Sequence, residues 1–140
     1  MDTQQPFSVY VIEIDPRWIP RVPHGRKKTT RRLFYVGSTD RPVDERLAGH
    51  LTGTRGFDNG AGAVFVAIRR AREADGLPAT LVEGQDVHLR ADMTERFATR
   101  QQARAREGEL ADALIGQDGT WALSDQGRFA GRKRAATGDA

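Results

Sequence analysis

The sequence predicts a mixed α/β fold of the α+β type, with a small three-stranded antiparallel sheet flanked by helices. Two short runs of β-branched and aromatic residues indicate strands near the N-terminus, and stretches with helical spacing of apolar residues follow them. At 140 residues the chain is long enough for one domain with its own core. We therefore expect a single domain over residues 1–125 and a basic, disordered tail over residues 126–140.

The first predicted strand covers residues 7–14, which are rich in β-branched and aromatic side chains. A second strand is predicted over residues 33–36, ended by Gly37 and a polar turn. If the two strands pair in antiparallel fashion, Tyr10 and Tyr35 can come close together on one face of the sheet.

A helix is predicted over residues 42–51. Pro42 suits its first position, because the missing N–H would have no partner there. Apolar residues repeat every four positions and predict a buried stripe (Val43, Leu47 and Leu51). Arg46 and His50 are also four apart, so we expect them side by side on the helix next to this stripe.

Two further helices and a third strand complete the predicted fold. The helices are expected over residues 63–73 and 92–115, with Asp92 as the N-cap of the second. The third strand is predicted over residues 79–83. Residues 121–124 are interpreted either as a short terminal strand or as a segment packed on the core.

Glu107 lies in the middle of the apolar face of the last predicted helix. Leu114 lies about 20° and Ala111 about 40° from it around the helix axis, whereas Glu109 falls on the solvent side. Burying a carboxylate without a partner costs several kcal/mol. We therefore expect Glu107 to have a metal ion or an arginine as its partner.

Charge is distributed unevenly along the chain. Residues 17–55 contain ten arginines and lysines against three acids, a net charge of +7, although the whole chain has only +3. Such a basic segment favours a polyanion as partner, although a run of charge is more often a solvated loop.

The composition excludes several classes of protein. Cysteine is absent, which excludes disulfides, zinc–thiolate sites and thiol nucleophiles and fits a reducing cytoplasm. The N-terminus lacks the features of a signal peptide, and no apolar run approaches the ~20 residues of a membrane span. We expect a soluble, cytoplasmic protein.

The order of the candidate residues resembles the signature of the GIY-YIG nuclease superfamily. Residues 8–10, Ser-Val-Tyr, stand for its first half, and residues 35–37, Tyr-Val-Gly, for its second half. Arg46 and His50 follow with the spacing Arg-x-x-x-His, and Glu107 lies on the last predicted helix. The resemblance spans residues 7 to about 115.

The chain also departs from the family pattern. Ser8 replaces the first glycine, and 24 residues separate Tyr10 from Tyr35, where about ten are usual. Ser38 and Gly119 stand where many members have a lysine and an asparagine.

The resemblance implies a DNA endonuclease that hydrolyses phosphodiester bonds with one divalent metal ion, Mg²⁺ or Mn²⁺. Glu107 would bind the metal, and Tyr10 would deprotonate or orient the attacking water with Tyr35 beside it. Arg46 would bind the scissile phosphate, and His50 would position or exchange a proton near it. The residues expected to contact the DNA backbone are Arg26, Lys27, Lys28, Arg31, Arg32 and Arg55.

Alternative interpretations remain for the same residues. Taken singly, Tyr10 and Tyr35 would more often be core aromatics, and Glu107 could pair with a structural arginine. The chain could be a catalytically inactive nucleic-acid-binding module on the same fold, or a basic accessory protein that contacts RNA or an acidic partner. A nuclease domain of this size would obtain specificity from its basic segments, a homodimer or another protein.

Overall fold

The computed structural model describes residues 5–22, 30–53 and 60–127. These ranges form three α-helices and one mixed sheet of five strands. The predicted mixture of helices and strands is confirmed. The predicted three-stranded antiparallel sheet is wrong, because the sheet has more strands and one of them runs parallel to its neighbour.

The sheet is built around two long strands, β1 (Phe7–Ile14) and β2 (Arg32–Thr39), which pair antiparallel. The other edge of β1 pairs antiparallel with two short strands, β3 (Val87–Leu89) and β4 (Glu95–Phe97). A final strand, β5 (Thr120–Leu123), pairs with β2 in parallel. β2 therefore continues beyond Val36, where the sequence predicted its end, and residues 37–39 also belong to the sheet.

Three helices cover the sheet. α1 spans Val43–Thr52 and α2 spans Ala63–Ala74, as their apolar spacing predicted. α3 spans Arg100–Ile115 and starts eight residues later than the predicted helix. Thr99 is its N-cap and forms a capping box with Gln102, which stops the helix from extending toward residue 92.

The segments before α3 also correct the prediction. A single 3-10 turn (Ala91–Met93) and strand β4 occupy the residues that the sequence assigned to the start of the last helix. The strand predicted over residues 79–83 is absent from the described structure, where Glu83 alone forms an isolated bridge to Val87. The terminal strand suggested for residues 121–124 is confirmed as β5.

Two cores lie on opposite faces of the sheet. On one face, Tyr10 and Tyr35 pack with Phe65 of α2, and the apolar stripe of α1 borders them. On the other face, Val11 and Phe34 pack against the apolar side of α3. Side chains of α1 and of α3 therefore approach the sheet from different sides.

The buried carboxylate of Asp86 connects the segment after β1 to α2. Asp86 is fully buried and accepts hydrogen bonds from Trp18 Nε1 at 2.9 Å, Val82 N at 2.8 Å and Arg72 at 2.9 Å. Arg17 donates a further bond to it at 3.1 Å. Part of the basic segment over residues 17–55 is therefore an ordered 3-10 helix (Pro16–Arg21) attached to α2 through Asp86.

Several predicted features lie outside the described residues: Arg26, Lys27, Lys28, Arg55 and residues 128–140 of the predicted tail. Within the described ranges, every helix is too short or too polar to cross a lipid bilayer.

Candidate active site

The rings of Tyr10, Tyr35 and His50, here called the ring cluster, come from three different elements and meet beside Phe65 of α2. Tyr10 Oη on β1 lies 2.9 Å from His50 Nε2 in the last turn of α1, and both side chains are fully buried. The His50 ring stacks on Phe65 with centroids 4.3 Å apart, and Tyr35 of β2 packs edge-on against His50 at 5.1 Å. The structure thus brings Tyr10 and Tyr35 together, as the antiparallel pairing of β1 and β2 predicted, and adds His50 to them.

Gly37 is required by this packing. The register of β1 and β2 places Gly37 directly opposite Tyr10. A Cβ at residue 37 would lie 2.7 Å from Tyr10 Oη and 2.8 Å from Cε2 of Tyr35, closer than any side chain tolerates. The glycine after Tyr35 and Val36 therefore makes room for the tyrosine hydroxyl, and does not end the strand as the sequence suggested.

Burial controls the protonation of both tyrosines. It raises the pKa of Tyr10 to about 12, although the positive charge of Arg46 and a hydrogen bond from Tyr35 act in the lowering direction. Burial also raises the pKa of Tyr35 well above its ordinary value, again with Arg46 opposing. Both tyrosines are neutral near pH 7, and Arg46 lies close enough to act on both of them.

Glu107 is buried as predicted, but its partners are two hydroxyls. Ser38 Oγ donates to Oε1 at 2.8 Å, and Ser124 Oγ donates to Oε2 at 2.6 Å. Burial raises the pKa of Glu107 above its ordinary value, and the hydrogen bonds from the two serines oppose this. The negative charge of Asp125 raises the pKa further.

Glu107 lies on the opposite face of the sheet from Tyr10 and Tyr35. Ser38, which binds it, alternates along β2 with Tyr35 and Gly37, and so faces the α3 side. The negative charge of Glu107 nevertheless raises the pKa of both Tyr10 and Tyr35. The carboxylate is therefore within electrostatic range of the ring cluster at this end of β2, while its hydrogen bonds run to the serines.

Ser124 and Asp125 were not predicted as neighbours of Glu107. The signal that could have found them is Gly108 inside α3, since glycine in a helix interior costs about 1 kcal/mol relative to alanine. A Cβ on Gly108 would lie 2.6 Å from the carbonyl oxygen of Gln126. The glycine lets the segment after β5 cross α3 closely enough for Ser124 to reach Glu107.

Arg31 and Arg32 are the members of the predicted DNA-contact set that the structure describes. Arg31 lies 3.5 Å from Asp118, and Arg32 makes two bonds to Glu13 at 2.8 and 2.9 Å. Both residues stand at the start of β2, and Ser38 lies six residues further on, roughly 20 Å along an extended strand. They do not border the candidate site, and their binding to DNA stays a prediction.

The donors around Glu107 suit a hydrated divalent cation. Mg²⁺ prefers oxygen ligands and is commonly held by one or two carboxylates while it keeps several waters. Glu107 supplies one carboxylate, and Ser38 and Ser124 supply hydroxyl oxygens beside it. In the part of the chain that the structure describes, no group of three or more histidines and carboxylates could form an all-protein cage.

Comparison of the chain with protein-family models, with curated proteins and with solved structures gave no match. The interpretation of the site consequently depends on its own geometry. That geometry defines a mixed α/β domain with a buried tyrosine–histidine cluster and a serine-bound glutamate at the same end of the central strands.

Proposed function

We propose that the chain is a metal-dependent DNA endonuclease of the GIY-YIG type. The observation that supports this most is the buried hydrogen bond between Tyr10 and His50, with Tyr35 packed against both rings. Apolar rings would fill the same core without the cost of burying polar groups. A tyrosine and a histidine kept in contact there have the chemistry for proton transfer.

The hydrogen bond offers a route for the proton of an attacking water. Because the pKa of Tyr10 is about 12, its phenolate is a costly intermediate near pH 7. With Nε2 of His50 unprotonated, Tyr10 donates its own proton to His50 while it accepts one from the water. The tyrosine stays neutral, the water becomes a hydroxide nucleophile, and the imidazole gains the positive charge.

The remaining requirements are stabilisation of the phosphate and of the leaving oxygen. Arg46 would bind the scissile phosphate through its guanidinium N–H donors. Glu107, with Ser38 and Ser124, would hold Mg²⁺ or Mn²⁺ at the edge of the cluster. When bound, such an ion supplies positive charge that stabilises the phosphate oxygens.

The proposal is tested by cleavage of supercoiled plasmid and of branched DNA in Mg²⁺ or Mn²⁺. We expect the wild type to cut, and Tyr10→Phe and Glu107→Ala to lose at least about 100-fold in rate while still binding DNA. Glu109→Ala is the matched control, because Glu109 is exposed on the same helix. Full activity of Glu107→Ala would contradict the catalytic assignment.

A second candidate function is a nucleic-acid-binding module that does not cleave. The observations that favour it are the complete burial of Tyr10 and His50 and the occupation of both Glu107 oxygens by serine hydroxyls. Binding of DNA by the wild type without cleavage in either metal would establish this function in place of the first.

A further inference from the structure

A run of arginines precedes Glu107 directly. Residues 96–106 contain four arginines and no acid. Two of them, Arg100 and Arg104, lie about 20° and 60° from Glu107 around the α3 axis, on the same side of the helix. They occupy the turns that lead from the start of α3 to the candidate metal ligand.

The charge order along α3 opposes the helix dipole. Its first turn contains no acidic residue and begins with Arg100, whereas its acids, Glu107, Glu109 and Asp112, all come later. Helices gain stability from the opposite order, with acids near the N-terminus and bases near the C-terminus. The stability of α3 therefore does not explain these arginines, and a bound polyanion would.

Arg100 connects α3 to the end of β2 that bears Ser38. Its guanidinium lies 3.5 Å from Asp40, and its side chain is 55% exposed. The neighbouring Arg41 is 58% exposed and lies 3.2 Å from Glu45. Arg104 is exposed, and the described residues give it no ion pair. Ion pairs as exposed as these contribute little, so a phosphate can replace either acid.

We propose that Arg41, Arg100 and Arg104 form a phosphate-binding surface that positions the DNA backbone beside Ser38 and Glu107. This inference depends on the proposed function for its partner, DNA. It assigns backbone binding to the end of β2 nearest Glu107, whereas Arg31 and Arg32 lie at the other end and are paired with Asp118 and Glu13. Contacts of this kind set affinity and register, not sequence preference.

The test is the salt dependence of DNA binding, measured by fluorescence anisotropy of a labelled duplex with the full chain in EDTA, where cleavage is suppressed. Each phosphate contact that is lost reduces the slope of log K against log[NaCl] by about 0.9. We expect this reduction for each of Arg41→Gln, Arg100→Gln and Arg104→Gln. The Arg100→Gln/Arg104→Gln double variant should lose about 1.8.

Arg106→Gln is the matched control, because it removes the same charge from α3 on a different side, where Arg106 pairs with Glu95 at 3.0 Å. Its slope should equal that of the wild type. An unchanged slope for Arg104→Gln and Arg100→Gln, or a reduction confined to Arg31→Gln/Arg32→Gln, would overturn the surface. Tighter binding of an RNA duplex than of DNA would overturn the choice of partner.

The two proposals fail in different ways. If the wild type does not cleave but the three variants lower the slope, the surface stands and the nuclease function fails. If the wild type cleaves and the slopes are unchanged, the nuclease function stands and the surface is wrong. Absence of DNA binding by the wild type at low salt would contradict the proposed phosphate-binding surface.

Discussion

Glu107 combines a buried position with a charge that the proposed chemistry requires. Burial raises its pKa above the ordinary value of 4.5, so the folded protein keeps this proton to a higher pH than the unfolded chain does. Between the two pKa values the folded state binds more protons, and the free energy of unfolding falls as the pH rises. At pH values above the pKa of Glu107 in the folded protein, the carboxyl is ionised and the full cost of burying its charge lowers the free energy of unfolding.

Replacing this carboxyl by an amide should remove the penalty. We expect Glu107→Gln to be more stable than the wild type at pH 7, and the difference to disappear as the pH falls below 4.5, where both states of the wild type are protonated. Denaturant unfolding over a range of pH measures it. Glu109→Gln is the control, because Glu109 is exposed on the same helix and should show no such trend.

The wild type and Glu107→Gln also allow a test of metal binding without a cleavage assay. Mg²⁺ that binds the ionised Glu107 stabilises the folded state, so it should raise the melting temperature of the wild type at pH 7. The melting temperature of Glu107→Gln should respond much less. An equal response of both proteins would place the metal elsewhere.

The sequence predicted the members of the ring cluster better than the partners of Glu107. Tyr10, Tyr35 and His50 follow from strand pairing and from helical spacing, which are regular and local. Ser38 lies on β2 and Ser124 directly follows β5, and a lone serine has no periodic signal. Their approach to Glu107 depends on the tertiary fold alone.

The glycine in the middle of α3 reflects a close contact with the chain segment that follows β5. Gly108 follows Glu107 in the middle of the helix, and the chain after β5 passes over it so closely that a Cβ would meet the Gln126 carbonyl at 2.6 Å. Helix propensity would favour alanine at this position. Glycine at this position therefore allows the close contact with the crossing segment and does not serve helix stability.

We expect Gly108→Ala to destabilise the protein, although the same change in a free helix gains about 1 kcal/mol. The added methyl pushes the crossing segment away and breaks the bond from Ser124 to Glu107. Gly116→Ala is the matched control, because Gly116 has φ −69° and its nearest new contact would be 3.4 Å. Denaturant unfolding should show a loss for the first variant and no loss for the second.

If both glycine variants were equally stable, the crossing segment would not need the close approach. The link between Gly108 and Glu107 would then be wrong, and the glycine would have no part in forming the site.

A regular period made three of the longer elements predictable, whereas the end of β2, also eight residues long, was predicted three residues too early at Gly37. β1, α1 and α2 each cover eight residues or more, and their ranges were found to within one or two residues. β3 and β4 have three residues each, too few for alternation to be visible. The start of α3 was misplaced because Asp92 suits an N-cap as well as Thr99 does; the capping box at Thr99 and the pairing of residues 95–97 with β1 exclude it.

Asp86 joins parts of the chain that the sheet does not connect. It binds the 3-10 helix through Trp18, α2 through Arg72 and the loop before β3 through Val82. The Arg72 side chain is only 8% exposed and depends on this carboxylate. Removing one partner of a buried ion pair leaves an uncompensated charge.

Asp86→Ala should therefore reduce the free energy of unfolding by about 3–5 kcal/mol, a large fraction of the stability of a domain this size. Chemical denaturation measures the change. Asp75→Asn is the control, since Asp75 pairs with Arg21 on the surface and should contribute little. A small effect of Asp86→Ala would show that Arg72 finds another partner when the loop rearranges.

The parallel strand β5 has a consequence for the biosynthesis of the protein. Tyr10, Tyr35 and His50 all precede α2, so a growing chain on the ribosome contains these three residues before α2 is translated. Ser124, which binds Glu107, follows β5 and is among the last described residues to emerge. Prematurely terminated chains that lack β5 also lack this hydroxyl. Assembly of the contact between Ser124 and Glu107 is thereby coupled to translation of the chain as far as β5 and the residues that follow it.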